Sequence, residues 1–431
     1  MTNSRAKAGP QQQLASISRQ RVLACADLFR GVLLVVFLAA LFVPAYQFAG
    51  DRYWLPLFSK FMALALFALS VDLIWGYTGL MSLGQGLYFG LGAYAAGYSL
   101  ILQKAAIKAA EVAGTEPSFV PGPDMALPDF MEYCRVPAVP GWIAPLIDLR
   151  LALPLAILLP LLVATLFGWI TFRLRVKGVY FALVTQALVL AAFTIVATEQ
   201  PYTAGVVGMR GLAKLQMFGH IFQMADLYYL ITSILVVCYL GCLALIRSKF
   251  GKVLTAIRDN ENRVLALGYN TAMYKTFVFA VAGALAGLAG VLYVASQGTA
   301  GPDRFGIEFS IEVVVMVAVG GRGTLYGAIL GAILVNFANT YINNEFQNAW
   351  RFILGGLFVG VVLFLPNGIV GGGRSLVNWL LSWRTAKQDT QMFVPEAVVA
   401  APADFPTGNS AIQPSQLGPR RIQAATDAKG P

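Results

Sequence analysis

The chain has 431 residues, 58% of them hydrophobic and only 12% charged, with a formal net charge of +10. That balance excludes an ordinary soluble domain, because the apolar residues fall in runs of about 20, the length of a membrane-spanning helix. The basic residues sit in short loops between the runs and not in an aromatic-interleaved basic domain, which argues against a nucleic-acid partner.

In chain order, Arg5, Lys7, Arg19, Arg21 and Arg30 surround or precede the first apolar run and oppose only Asp27, predicting a cytoplasmic N-terminus. A cleaved signal peptide ending near residues 45–49 is the competing reading, and the long polar leader weighs against it. Candidate spans are 31–47, 55–74, 78–102, 151–170, 179–197, 227–246, 276–297, 308–321, 324–342 and 350–366. The fold class is therefore all-α: a polytopic helical membrane protein of about ten spans, one of them short or broken. Alternating sides places the RLRVK loop at 173–177 and the charged segment 247–275 inside, and the acidic, proline-rich loop 103–150 outside. Both termini fall in the cytoplasm. The organisation is a disordered leader over 1–26, a permease domain over 27–373, and a mostly disordered tail over 374–431, rich in Ala, Pro and Gln.

Glycine spacing is the most regular feature. Gly79, Gly86, Gly90 and Gly97 would form one smooth face of the third span, Gly283 and Gly287 repeat the device in the seventh, and Gly323, Gly327 and Gly331 in the ninth. Such faces let helix backbones approach closely, although glycine is also simply frequent in membrane helices. Beside them stand polar residues. Thr78, Ser82 and Gln85 are spaced to share one side of the third span, with Tyr88 a turn further on; Gln186 and Asn336 lie in the fifth and ninth spans. Each must face a partner helix or a wet cavity. As a set they suit a path for a small neutral polar solute; singly, helix–helix hydrogen bonding accounts for them.

The eighth span, IEFSIEVVVMVAVGG, is short and carries Glu308 and Glu312. Either it is a broken helix whose end lines the route, with Glu312 inside and paired, or both carboxylates lie at the outer interface. Between the sixth and seventh spans, SKFGKVLTAIRDNENRVLALGYN reads as an amphipathic helix with a charged centre of Arg258, Asp259, Glu261 and Arg263 and a turn at Gly268. It could lie on lipid, but its mixture of acids and bases favours a protein partner. His220 has no cysteine or carboxylate cluster around it, and Cys134, Cys238 and Cys242 imply no disulfide framework, so no metal site and no catalytic triad is expected.

Four segments carry a resemblance: LIWGYTGLMSLGQGLYFGLGAYAAG at 73–97, VYFALVTQALVLA at 179–191, RSKFGKVLTAIRDNENRVLALGYN at 247–270 and VAVGGRGTLYGAILGAILVN at 317–336. In this order they resemble the inner-membrane permeases of bacterial ABC importers of the branched-chain amino acid family, most closely the urea-permease type. The DNENR, GGRGTL and LPDFM stretches resemble the urea members; amino acid permeases more often have histidine where this chain has Gln85 and a leucine-like residue where it has Arg322. The resemblance implies a non-catalytic subunit of an importer. Its implied partners are a second related permease, two cytoplasmic ATPases and a periplasmic solute-binding protein. The segment from Arg258 to Gly268 would dock on an ATPase, and urea would be the solute, with amino acids the alternative. No glycine cluster is followed by Lys-Ser or Lys-Thr, so ATP and Mg are expected on the partners and no cofactor on this chain. A membrane enzyme lacks a reactive constellation here, and an ion-coupled carrier or channel would need no charged docking segment.

Overall fold

The computed structural model describes residues 53–114, 119, 125–176, 178–217 and 220–345, with isolated positions between 39 and 43 and between 353 and 371. The chain divides into two compact units, Met1–Leu376 and Val377–Pro431, and the described residues all belong to the first. The expected leader and tail, and nearly all of the expected spans at 31–47 and 350–366, lie outside the described residues.

Eleven helices follow in order: α1 Trp54–Thr78, α2 Gln85–Ala113, α3 Asp129–Tyr133, α4 Leu149–Arg173, α5 Gly178–Thr198, α6 Gln200–Thr203, α7 Met224–Arg247, α8 Lys249–Ala266, α9 Thr271–Gln297, α10 Ile307–Gly320 and α11 Leu325–Glu345. Strand is confined, among the described residues, to two antiparallel two-residue ladders, β1 Met209–Arg210 with β4 Thr299–Ala300 and β2 Gln216–Met217 with β3 His220–Ile221. Among the described residues six helices, α1, α4, α5, α7, α9 and α11, are long and apolar enough to cross a membrane. Helix is the element that closes all its backbone hydrogen bonds within one segment, so an apolar medium selects it. Polar residues mark the ends: Asp148 accepts from Arg150 N at 2.9 Å ahead of α4, Gln223 and Asp226 form a capping box on α7, and Asn270 accepts from Met273 N at 3.3 Å ahead of α9.

Helices α1, α2 and α9 form the centre, with α4 against α2 and α9, and with α10 and α11 against α1. Backbones nearly touch where glycine permits. A Cβ on Gly92 would fall on the Gly287 carbonyl, and one on Gly290 on the Phe89 carbonyl, so α2 and α9 cross at the closest approach two helices can make. Gly283 and Gly287 receive Ala164 and Pro160 of α4, while Gly86, Gly90 and Gly97 admit Ser310, Phe305 and Ala300. Gly327 and Gly331 meet Gly320 at the α10–α11 crossing.

Two expectations are corrected. The third span does not begin at 78: Gly79, at φ +73°, takes the left-handed conformation that closes α1, its N–H bonding Trp75 O at 3.2 Å, and helix resumes only at Gln85. Gly79 therefore lies off the face that carries Gly86, Gly90 and Gly97, and Thr78, Ser82 and Gln85 share no helical side. Gly323, at φ +75°, likewise lies in the turn before α11, so only Gly327 and Gly331 are helical there. In both stretches the residues are apolar enough to extend a span, but a left-handed glycine reverses the chain. The expected short helix is present as α10, whose 14 residues rise about 21 Å, less than the hydrocarbon thickness of about 30 Å.

Candidate functional site

Two helices start deep within the bundle. Phe67, near the midpoint of α1, lies 4.8 Å from the Phe89 ring in the first turns of α2 and 5.2 Å from Phe309 in the first turn of α10, and Phe89 and Phe309 are 4.9 Å apart. The N-terminal ends of α2 and α10 thus meet beside the middle of α1, joined by Gly86 N donating to Ser310 Oγ at 3.1 Å.

The non-helical stretch between α1 and α2 leaves backbone amides without helical partners, which an apolar interior does not tolerate. Hydroxyls satisfy them. Thr78 Oγ1 accepts from Leu80 N at 3.4 Å, Ser82 Oγ from Gly84 N at 3.3 Å, and Thr185 Oγ1 on α5 from Leu83 N at 3.2 Å. Thr78 and Ser82, expected along a solute path, here hold the break together. Gln85 is different: it is 1% exposed, and neither its amide nitrogen nor its amide oxygen has a hydrogen-bond partner among the described residues.

The remaining path candidates are dispersed. Tyr88 is fully buried, edge-on to Phe279. Asn336 donates to Ala332 O at 2.8 Å within its own helix. Glu312 is half-buried and accepts from Asn339 Nδ2 of α11 at 3.1 Å. Gln186 is half-buried on α5, next to the Thr185 that closes the break.

Helix α8 forms a second site at the end of the bundle where α1, α4 and α10 finish and α5, α9 and α11 begin. Its amphipathic character and the turn at Gly268, at φ +85°, are as expected, and Leu254, Ile257 and Val264 are buried. A kink unforeseen in the sequence divides it: Asn260 is extended at φ −159°, ψ 96°, and its Oδ1 accepts from Arg263 N at 3.2 Å, capping a new turn. On either side of the kink the charged centre holds one residue that bonds to the bundle. Glu261 Oε1 turns inward to accept from Lys275 Nζ at 2.6 Å and Thr271 Oγ1 at 3.1 Å, and Arg258 Nη1 donates to Gly76 O of α1 at 2.8 Å. Asp259, Asn262 and Arg263 are exposed, as is part of Arg258, whose Nε donates to Asp259 Oδ1 at 3.3 Å. Two grooves flank this turn, of about 390 Å³ beside Gly79 and Ile257 and about 250 Å³ beside Arg173 and Asn270.

Two residues central to this end were not singled out from the sequence. Lys275, 5% exposed, is the inward partner of Glu261, and Asp72 of α1, fully buried, accepts from Gly323 N at 2.6 Å. A lone carboxylate inside an apolar run was the available signal for Asp72.

Helices that begin mid-bundle, backbone-to-backbone crossings and a charged helix carried outside the spans define a polytopic membrane protein built as transporters are. Residues 54–363 match the family described as branched-chain amino acid transport system / permease component, and the chain belongs to that family. It is 28% identical over 242 residues to the high-affinity branched-chain amino acid transport system permease protein LivM of Salmonella typhimurium, covering 51% of this chain and 56% of LivM. It is 25% identical over 235 residues to the ribose import permease protein RbsC of Haemophilus influenzae, covering 52% of this chain and 72% of RbsC. It is 26% identical over 226 residues to the permease protein LivH of Escherichia coli, covering 49% and 72%. The chain thus spans little more than half the length of LivM. No solved structure matches.

Proposed function

We propose that this chain is the membrane permease subunit of an ATP-driven importer of small polar solutes, and that α8 is where cytoplasmic ATPases dock. The observation that carries this reading is that α8 is fastened to the permease through Arg258 and Glu261 and still leaves a charged surface of Asp259, its ion-pair partner Arg258, Asn262 and Arg263 open beside two grooves. A helix that only lay on lipid would need no such fastening and would carry mainly Lys and Arg. The α8 end holds Arg173, Arg175, Arg247, Lys249 and Lys252, so the positive-inside rule makes it cytoplasmic and makes the other end periplasmic. The proposed complex includes a second related permease, two ATPases that bind ATP and Mg, and a periplasmic solute-binding protein, in a bacterial inner membrane.

For the solute, the names of LivM and LivH favour branched-chain amino acids over urea. The converging N-terminal ends of α2 and α10 suit that class, since helix N-termini favour a carboxylate without a buried cation. Urea is the second reading and rests on Gln85, whose neutral amide has a donor and an acceptor without partners among the described residues. Uptake of labelled leucine and labelled urea, in cells deleted for the gene and complemented with it, separates the two. Leucine uptake alone supports the main reading, and urea uptake without leucine uptake replaces it. Co-purification with Arg263→Glu tests the docking surface: ATPase recovery should fall several-fold with the permease abundance unchanged, because a reversed charge at a partly desolvated interface costs several kcal/mol. Normal recovery would remove α8 from the interface.

A further inference from the structure

The last two turns of α1 are gripped from two directions by segments far away in sequence. From one side comes the turn between α10 and α11: Gly323 N donates to Asp72 Oδ1 at 2.6 Å and Tyr77 OH donates to Gly323 O at 3.0 Å. The fit is close, because a Cβ on Gly76 would lie 2.5 Å from Gly323 N. From the other side comes α8, whose Arg258 Nη1 donates to Gly76 O at 2.8 Å. One residue, Gly76, thus touches the Gly323 backbone through its missing side chain and Arg258 through its carbonyl. Arg258 reaches past it to within 3.8 Å of the position a Cβ on Gly323 would take.

Asp72 is an expensive choice for a staple. It is fully buried, and its second oxygen, Oδ2, has no hydrogen-bond partner among the described residues. A buried carboxylate with half its acceptors unmet is destabilising compared with a neutral residue, so tight packing alone does not explain it. What a carboxylate adds is a strong, directional bond to a backbone amide. That bond falls on the short turn that ends α10, the helix that starts mid-bundle beside Gln85.

We propose that Asp72 is a positioning residue that couples displacement of α8 to α10, through Gly76 and the Gly323 turn, so that ATPase motion reaches the mid-bundle helix ends. The inference rests on reading α8 as the ATPase-docking element. Without the Asp72 bond, α8 still docks and the ATPases still turn over, but α10 is no longer held to the element that α8 moves.

The test uses the whole complex with its ATPases and binding protein in proteoliposomes, reading labelled solute imported per ATP hydrolysed. Asp72→Asn keeps only a weaker, neutral acceptor for the Gly323 amide and should lower solute per ATP about threefold, whereas Asp72→Leu should lower it about tenfold while hydrolysis continues. Tyr77→Phe and Arg258→Met each remove one hydrogen bond of the same cluster, and each should lower the ratio about threefold. A merely structural role would lower the amount of assembled complex and leave the ratio unchanged. Unchanged ratios in Tyr77→Phe and Arg258→Met overturn the proposal, even where Asp72→Leu does not assemble. ATP-driven uptake by wild type with insensitive variants removes this inference alone; wild-type uptake without ATP hydrolysis removes the importer reading as well.

Discussion

Helices α9 and α5 are both apolar enough to span a membrane, yet 72% of the apolar window of α9 is buried within the chain and only 17% of that of α5. The difference lies in side-chain size. Helix α9 carries GALAGLAG and meets the backbones of α2 and α4, whereas α5 presents Val179, Tyr180, Leu183, Leu190 and Ile195 on an open face. In lipid, apolarity gives no reason for one helix to prefer another; close approach does, through dispersion contacts that only small residues allow. Where α9 crosses α2 and α4, packing is therefore set by smallness, while α1, 83% buried, fills the adjoining interior with large side chains such as Phe61, Phe67 and Leu69.

The sharpest way to break that comparison is to give α9 a side chain from α5. Gly290→Leu drives a side chain into the Phe89 carbonyl, and it should cost on the order of 5 kcal/mol, seen as loss of folded, monodisperse protein on size-exclusion chromatography. Wild-type yield would show that the α2–α9 crossing is not tight. Next in size is Lys275→Ala, which removes the 2.6 Å ion pair to a Glu261 side chain only 18% exposed and should cost about 2 kcal/mol. Limited proteolysis should then cut within α8, and an unaltered cleavage pattern would count against the anchor. Thr185→Val removes the acceptor of the Leu83 amide at the break and should cost about 1–2 kcal/mol in thermal stability in detergent.

On the open side the same measurements should barely move. Leu183→Ala, at a residue 55% exposed, should change stability by about 0.5 kcal/mol or less. A large loss would mean that something in the molecule covers that face. The smallest effect concerns the exposed pair of Asp129 and Lys108, 2.7 Å apart. The hydrogen bond from Lys108 holds the Asp129 carboxyl below its ordinary 3.8, against a minor upward push from burial. A lowered folded value means the pair contributes above the unfolded value and is lost as pH falls through the folded one. Asp129→Asn should therefore leave stability at neutral pH almost unchanged and flatten only its acid limb below about pH 4, as read by melting in detergent against pH.

The sequence by itself determined the fold class, the membrane character and most span positions, because a helix in lipid must be long, apolar and hydrogen-bonded within itself. It also determined that residues 248–270 form an amphipathic helix ending at Gly268 and that the span at 308–321 is short, since charge pattern and length are local properties. Tertiary structure alone decided where helices stop inside an apolar run. TGLMSLG supplies two of its own acceptors, Thr78 and Ser82, but the Leu83 amide and the Gly86 amide just beyond are met by Thr185 and Ser310, hydroxyls 102 and 224 residues away. It decided, too, that Thr78 and Ser82 bond the backbone while Gln85 has no partner among the described residues, and that Arg258 and Glu261 bond to α1 and α9. Each of these depends on what another helix places opposite. Periodicity along one segment carries no record of that neighbour, and in a bundle where every surface is apolar only the shape of the contact selects it.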